Sequence, residues 1–483
     1  MLPRTVFLRR PAFLRRSVLA VVAGAAAAGL TSLSASAADD KPKPPAAAAA
    51  LKPILVKLYA KTGFDDGIGR SALHDDLQNV VLPPKSKERK TADLKPTWWW
   101  SETIQEALYA GTNMVKQPGK TKDVVKSEFD CYPNGLDKIS AKSPFMYRGP
   151  NGYSPKTPAP LLISIVDAKT NPKEWIEKSW AGFEDFQKQW VLVCVPESDV
   201  FDASKDKLAL SRILAKMMQS FNVDPNRTFI EGVGAACKSA QISASLTLPD
   251  RIAGLILRNP QDSLAIENCG IFPTVVVRGP EGAEKASAVL ASYKQVAGDT
   301  KGIELIAPDI ASLEGPCQGL ADWLKAAPPR ELAKNYSWVA LVDKDNNCPN
   351  PFTGSLVIRS PVKRGEVTKI TKVTFSRETN TVDVQSTNLG EFIICMNDDL
   401  LDLDKEVEVF VNGKSVVKKV FERSARQMLV FADDWGEFGR LFPVQVPVIV
   451  PTVIAPAEKK PDDKKDGDGK DVPPGDKKDG EKK

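Results

Sequence analysis

The feature that most constrains the fold is a regular alternation of apolar runs and amphipathic segments between Pro158 and Leu324. Six short runs are rich in Val, Ile and Leu: "LLISIV", "VLVCV", "TFIE", "IAGLILR", "TVVVR" and "IELIA". Such runs are typical of strands that are buried on both faces. Helix-like segments separate them, and the one from about Ser204 to Phe221 has helical spacing, with Ser204 as its predicted N-cap. The alternation predicts an α/β fold with a mainly parallel sheet and helices on both faces.

The third of these runs leads into a stretch with the outline of a nucleophile elbow. "FIEGVGAACKSA" spans residues 229 to 240. In a G-x-S-x-G elbow, a sharp strand-to-helix turn exposes a serine. Gly234 occupies the serine position here, so the attacking oxygen is missing. The sequence predicts that the strand-turn-helix shape is kept, because Gly232, Gly234 and the alanines permit a tight backbone.

The N-terminus has the pattern of a secretory signal peptide over residues 1–37. Five arginines precede an apolar run that is too short to span a bilayer, and Ala35-Ser36-Ala37 gives an A-x-A cleavage site. A twin-arginine signal at Arg15-Arg16 stays open as an alternative. Of 66 basic and 61 acidic residues, removal of those five arginines leaves 61 of each. We therefore expect a secreted or periplasmic protein without bulk-charge attraction to nucleic acid, and without membrane insertion after cleavage.

Composition divides the rest of the chain. Residues 38–50 form a Pro/Ala linker, and residues 451–483 form a disordered tail with balanced charges. Residues 51–145 are an N-terminal region without an assigned fold, in which "WWWSETIQEALYAGTNMV" predicts one amphipathic helix. The tryptophans at its start are interpreted as packing anchors, with a sugar-binding platform as the alternative. Residues 146–330 form the α/β domain. Residues 336–450 form a small antiparallel β domain, with a hairpin turn at Asn412-Gly413.

Cysteines and acidic residues offer few metal ligands. The cysteines are seven in number: Cys131, Cys194, Cys237, Cys269, Cys317, Cys348 and Cys395. The odd count leaves at least one thiol unpaired, and the absence of C-x-x-C spacing argues against a cysteine zinc site. The acidic cluster of Asp398, Asp399, Asp402 and Asp404 could ligate Ca²⁺, but its spacing differs from an EF-hand and it is interpreted as a solvated turn. No cofactor and no metal site are predicted.

Two longer phrases carry a resemblance. "FNVDPNRTFIEGVGAA" followed by "LPDRIAGLILR" resembles the core of secreted bacterial α/β-hydrolases of the esterase, dienelactone-hydrolase and prolyl-oligopeptidase type. "MNDDLLDLDKEVEVFVNGKSV" is similar to a small β domain that is often appended to such hydrolases. Together they cover roughly Pro158 to Pro447. The resemblance implies an α/β-hydrolase fold, which alone does not imply activity.

The resemblance also implies where catalytic groups should lie, and these positions are degenerate. Besides Gly234, the last strand is followed by no histidine, and the only histidine of the chain is His74, far upstream of the sheet. Glu281 follows "TVVVR" at the place of the orienting acid, but it has no histidine to orient. The loop after "LLISIV" reads "DAKT" in place of an H-G-G-like oxyanion loop. Cys237 and Ser239, just beyond the elbow, are the fallback nucleophiles.

Coordinated loss of these groups predicts a catalytically inactive protein that works by binding or as a scaffold. Its partner, an unknown protein or small molecule, is expected at the former active-site face, at the carboxyl ends of the strands. The alternative is an active hydrolase of ester or peptide bonds that uses Cys237 or Ser239.

Overall fold

The structure is a computed structural model. It describes the residues in the following ranges: 53, 56, 98–114, 122–131, 141–197, 209–261, 268, 271–277, 283–297, 304–306, 317–330, 332, 334–340, 355–363, 366, 368–424, 427–428, 431 and 439–450. The predicted signal peptide, Pro/Ala linker and charged tail lie outside the described residues, as do Ser204, His74 and Glu281. They stay predictions.

Eight strands form the central sheet. They are β1 (Val125–Cys131), β2 (Ala141–Arg148), β3 (Ala159–Val166), β4 (Val191–Pro196), β5 (Val223–Val233), β6 (Gly254–Arg258), β7 (Thr274–Val277) and β8 (Glu304–Ile306). Their order is β1-β2-β4-β3-β5-β6-β7-β8. β2 runs antiparallel to both of its neighbours, β1 and β4, and all other neighbouring pairs are parallel. This is the strand order of an α/β-hydrolase sheet, and the predicted fold class is confirmed.

Helices cover both faces of this sheet, because its central strands are apolar on both sides. The helices on the sheet are α2 (Pro172–Ser179), α3 (Glu184–Gln189), α4 (Ala209–Ser220), α5 (Cys237–Ile242), α6 (Ala283–Ala297) and α7 (Gln318–Ala326), and an earlier helix, α1 (Trp98–Met114), packs in the core of the β domain. α4, α5 and α6 pack on one face, and α2, α3 and α7 pack on the other. Among the described helices, none combines the length and apolarity needed to cross a membrane.

The sheet begins earlier than the predicted boundary at residue 146. β1 and β2 lie in the region whose fold was not assigned, and they extend the sheet at its β4 edge. Their sequences, "VKSEFDC" and "AKSPFMYR", contain lysines and lack a continuous apolar run. Each nevertheless places a phenylalanine in the core, Phe129 and Phe145, whose ring centroids are 6.0 Å apart. Alternation on a half-buried strand pair explains why the apolar-run criterion missed them.

The β domain contains two sheets around one core. Its strands are β9 (Asn335–Ala340), β10 (Leu356–Pro361), β11 (Thr368–Ser376), β12 (Thr381–Thr387), β13 (Leu389–Met396), β14 (Glu406–Val411), β15 (Lys414–Val420) and β16 (Val444–Ile449). The orders are β10-β13-β16 and β15-β14-β12-β11-β9. The domain is antiparallel as predicted, except that β12 and β14 pair in parallel. The predicted hairpin joins β14 to β15, with φ values of 49° at Asn412 and 76° at Gly413.

Candidate functional site

The elbow lies at the carboxyl end of β5, near the middle of the sheet. β5 ends at Val233, and Gly234 adopts a left-handed φ of 59°. One 3₁₀ turn, Gly234–Ala236, leads directly into α5, which begins at Cys237. Residues 229 to 236 therefore have the predicted strand-turn-helix shape.

The two glycines of the elbow serve different purposes. A Cβ on Gly232 would lie 2.6 Å from the Cβ of Ala240 and 2.6 Å from the Cα of Cys237, so glycine is what allows α5 to approach β5. A Cβ on Gly234 would meet no atom of a described residue within 4 Å. The strand-turn-helix backbone is thus kept, and no described residue fills the space in front of Gly234.

Cys237 is buried beneath this turn. Its thiol donates hydrogen bonds to the carbonyl oxygens of Gly232 at 3.2 Å and Arg258 at 3.5 Å. Burial raises the pKa of the Cys237 thiol well above its ordinary value, and the carboxylate of Glu231 raises it further. The start of a helix therefore does not activate this thiol. A neutral, buried thiol is a poor nucleophile, and Cys237 acts as a packing residue.

Ser239 has a partner that sequence reasoning missed. Its hydroxyl donates a hydrogen bond to Oε1 of Glu197, the first residue after β4. The backbone N–H of Glu197 donates to the carbonyl oxygen of Val166 at 2.9 Å, which places Glu197 at the carboxyl edge, beside the end of β3. The available signal was positional, since Glu197 is the first acidic residue after a buried strand. Ser239 itself is only 6% exposed.

A buried ion pair lies in the strands that carry the elbow. The guanidinium of Arg258 donates to Oε1 of Glu231 from Nε at 3.0 Å and from Nη2 at 2.7 Å. Both side chains are 0% exposed. Ser164 donates to the other oxygen of Glu231 at 2.5 Å, and Trp175 of α2 lies under the guanidinium, 5.2 Å from ring centroid to Cζ. These contacts join β3, β5 and β6 and leave the pair out of reach of a ligand at the surface.

The loop at the oxyanion position is a closed turn. The backbone N–H of Thr170 donates to the carbonyl oxygen of Asp167 at 2.9 Å, and that of Lys169 donates to Oδ1 of Asp167 at 2.9 Å. His74 and Glu281, the other predicted members of a triad, lie outside the described residues. Of the sequence-predicted site residues, the structure brings Gly234, Cys237 and Ser239 together at one elbow.

Three of the four residues of the acidic cluster, Asp398, Asp402 and Asp404, form ion pairs. Arg423 donates to both carboxylate oxygens of Asp398, at 3.0 and 2.6 Å, and to Asp404 at 2.7 Å. Asp402 pairs with Lys405 at 2.9 Å. Within the described part of the chain, no group of three His, Cys, Asp or Glu side chains is arranged to hold a metal ion.

No protein-family model and no curated protein matches the chain. Solved structures that resemble it are esterases and other α/β-hydrolases. A thermostable esterase is 15% identical with a TM-score of 0.34, over 43% of this chain and 63% of that one. An IroE-like serine hydrolase from Shewanella oneidensis is 8% identical with a TM-score of 0.32, over 42% of this chain and 79% of the other.

A ferulic acid esterase from Anaeromyces mucronatus is 8% identical with a TM-score of 0.31, over 40% of this chain and 86% of that one. The chain spans less than two thirds of the thermostable esterase and of an uncharacterised Capnocytophaga ochracea protein, 63% of each. At such identities and TM-scores the likeness carries no argument about activity, and the fold assignment rests on the strand order.

Proposed function

We propose that this protein is catalytically inactive and acts as a secreted or periplasmic binding or scaffold protein on an α/β-hydrolase fold. The observation that carries the proposal is Gly234. The expected nucleophile position has a left-handed backbone and no described residue within 4 Å of the place that a Cβ would take, but it has no side chain. Losing a triad member leaves an enzyme with only residual catalysis.

The remaining candidates support the same conclusion. Cys237 is buried with a raised pKa, so it does not supply a thiolate at neutral pH. The partner is expected at the carboxyl edge, where this class of sheet binds its ligands. Its chemical nature is left open between a small molecule and another protein. Export is supported by the signal-peptide pattern of the first 37 residues.

The proposal is tested by measuring the hydrolysis of esters and peptide amides. The mature protein is incubated with p-nitrophenyl esters of increasing acyl length and with chromogenic peptide amides. We expect no hydrolysis above that of the Ser239→Ala variant, which removes the one hydroxyl of the elbow helix that contacts a carboxylate. Hydrolysis by the wild type that is absent from Ser239→Ala contradicts an inactive protein.

A second candidate function is acyl transfer by Ser239 with Glu197 as its base, and the hydrogen bond between them favours it. Two facts weigh against it. Ser239 is 6% exposed, which restricts access for a substrate carbonyl. A carboxylate acting alone is a weak general base towards a serine hydroxyl. Equal loss of a measured activity in Glu197→Gln and Ser239→Ala would establish this candidate.

A further inference from the structure

α1 belongs to the core of the β domain, although more than 200 residues separate it from the first strand of that domain. Ile104 and Ala107 are buried in the same apolar cluster as the strands of the β domain. The amide of Gln105 donates from Nε2 to the carbonyl oxygen of Gly439 at 2.9 Å, and its Oε1 accepts from the N–H of Leu441 at 2.8 Å. The Gln105 side chain thus provides hydrogen-bond partners for the backbone C=O and N–H groups just before β16, as a neighbouring strand would.

The same helix also reaches the α/β domain. The hydroxyl of Tyr109 lies 2.9 Å from Oδ1 of Asn222 and 3.0 Å from the carbonyl oxygen of Val223, at the start of β5. Asn222 is itself fixed, because its Nδ2 donates to Pro155 at 2.8 Å and its N–H donates to the hydroxyl of Tyr153 at 2.7 Å. The Tyr109 hydroxyl is therefore hydrogen-bonded to a side chain that is held in the α/β domain. Movement of α1 relative to the sheet would break this hydrogen bond.

A second set of hydrogen bonds, centred on Arg330, also joins the α/β domain to the β domain. The N–H of Arg330 donates to the carbonyl oxygen of Asn226 at 2.7 Å, and its Nη1 donates to that of Asp250 at 2.5 Å. The carbonyl oxygen of Arg330 accepts from Nη2 of Arg440 in the β domain at 3.0 Å. Asn226 lies early in β5 and Asp250 precedes β6, so this link also lies at the amino edge of the sheet.

We propose that α1 is a clamp that fixes the β domain to the amino edge of the sheet. Relative motion of two domains is the default when their interface is modest. A helix that is part of one domain's core and is hydrogen-bonded to a fixed group of the other removes that freedom. The elbow lies at the opposite, carboxyl edge. The β domain is therefore an anchored neighbour and does not close over the elbow as a lid.

Hydrogen exchange on the full mature chain tests the clamp. Tyr109→Phe removes only the hydroxyl that joins the domains. Tyr153→Phe is the matched control, because it removes a hydrogen bond to the same Asn222 from within the α/β domain. We expect the amides of residues 439 to 441 to exchange about fivefold faster or more in Tyr109→Phe, since one hydrogen bond is typically worth about 1 kcal/mol. In Tyr153→Phe these amides should exchange as in the wild type.

Equal exchange at residues 439 to 441 in Tyr109→Phe and the wild type overturns the proposal, as does an equal increase in both variants. Calorimetry supplies a second measurement. The wild type should unfold in one cooperative transition, and the Gln105→Ala/Tyr109→Phe double variant should show two. Two transitions in the wild type, or one in the double variant, also count against a clamp.

Discussion

The two edges of the central sheet use their polar groups differently. At the amino edge, Asn222 makes hydrogen bonds to α1, to Tyr153 and to Pro155, and the β domain docks there. At the carboxyl edge, the elbow keeps its backbone shape, but Gly234 presents no side chain. At one edge these groups hold the β domain, and at the other the strand-turn-helix backbone has a glycine at its centre.

The difference separates what the fold requires from what catalysis requires. Gly232 is needed for packing, because any side chain there would collide with α5. Among the described residues, none packs against the position that a side chain of residue 234 would take. A scaffold that has lost its chemistry is expected to keep the first kind of residue and to change the second.

The largest expected effect concerns the buried ion pair below the elbow. Removing one partner leaves the other charge buried without compensation, which costs about 3–5 kcal/mol. We expect Arg258→Met to lower the free energy of unfolding by about that amount, measured by urea denaturation. The Glu231→Leu/Arg258→Met double variant serves as the control and should recover a large part of the loss. A loss of less than about 1 kcal/mol in the free energy of unfolding of Arg258→Met would contradict the description of Glu231 and Arg258 as a fully buried ion pair.

The two elbow glycines are expected to differ in their tolerance of alanine. Gly232→Ala forces α5 away from β5 and should cost about 3 kcal/mol, at the upper end of the range for overpacking. Gly234→Ala only places a Cβ on a left-handed residue, for about 1 kcal/mol. The comparison uses the free energy of unfolding of both variants under one condition. The reverse order would show that the elbow is built differently.

A smaller effect is expected from the Cys237 thiol at alkaline pH. Because burial raises its pKa in the folded protein, the folded chain keeps a proton that the unfolded chain loses above its ordinary pKa of about 8.5. Stability should therefore fall as pH rises through that value, by up to about 1.4 kcal/mol per pH unit for one thiol. Cys237→Ala should show a shallower decline between pH 8.5 and 10. Equal slopes in both proteins exclude a shifted thiol at this position.

The central part of the fold was predictable because β3 and β4 are buried on both faces and their apolar character is therefore continuous in sequence, and because the buried second half of β5, residues 228–233, is largely apolar. The hairpin at Asn412-Gly413 was predictable because few residues other than Asn and Gly accept positive φ. β1 and β2 were missed because an edge pair carries lysines among its apolar residues.

Contacts between segments that are distant in the chain were harder to predict from the sequence. Nothing near Gln105 in the sequence indicates that its amide bonds to a segment 334 residues away. The buried ion pair did leave a signal, namely one acid in "TFIEGV" and one base at the end of "LILR", which lie in two of the predicted strands. Glu197 was not predicted, because the family resemblance implies an orienting acid in the segment after β7, where Glu281 lies in the sequence.

Covalent labelling is the most direct test of the proposal that the elbow has no catalytic nucleophile. The mature protein is incubated with excess fluorophosphonate, with an active serine hydrolase in the same tube as the reagent control, and its intact mass is measured. We predict that the control enzyme gains one phosphonyl group and that this protein gains none, because the elbow holds glycine at residue 234 and the described hydrogen-bond partner of Ser239 is a glutamate and not a histidine. A stoichiometric gain in mass that disappears in Ser239→Ala would contradict the account.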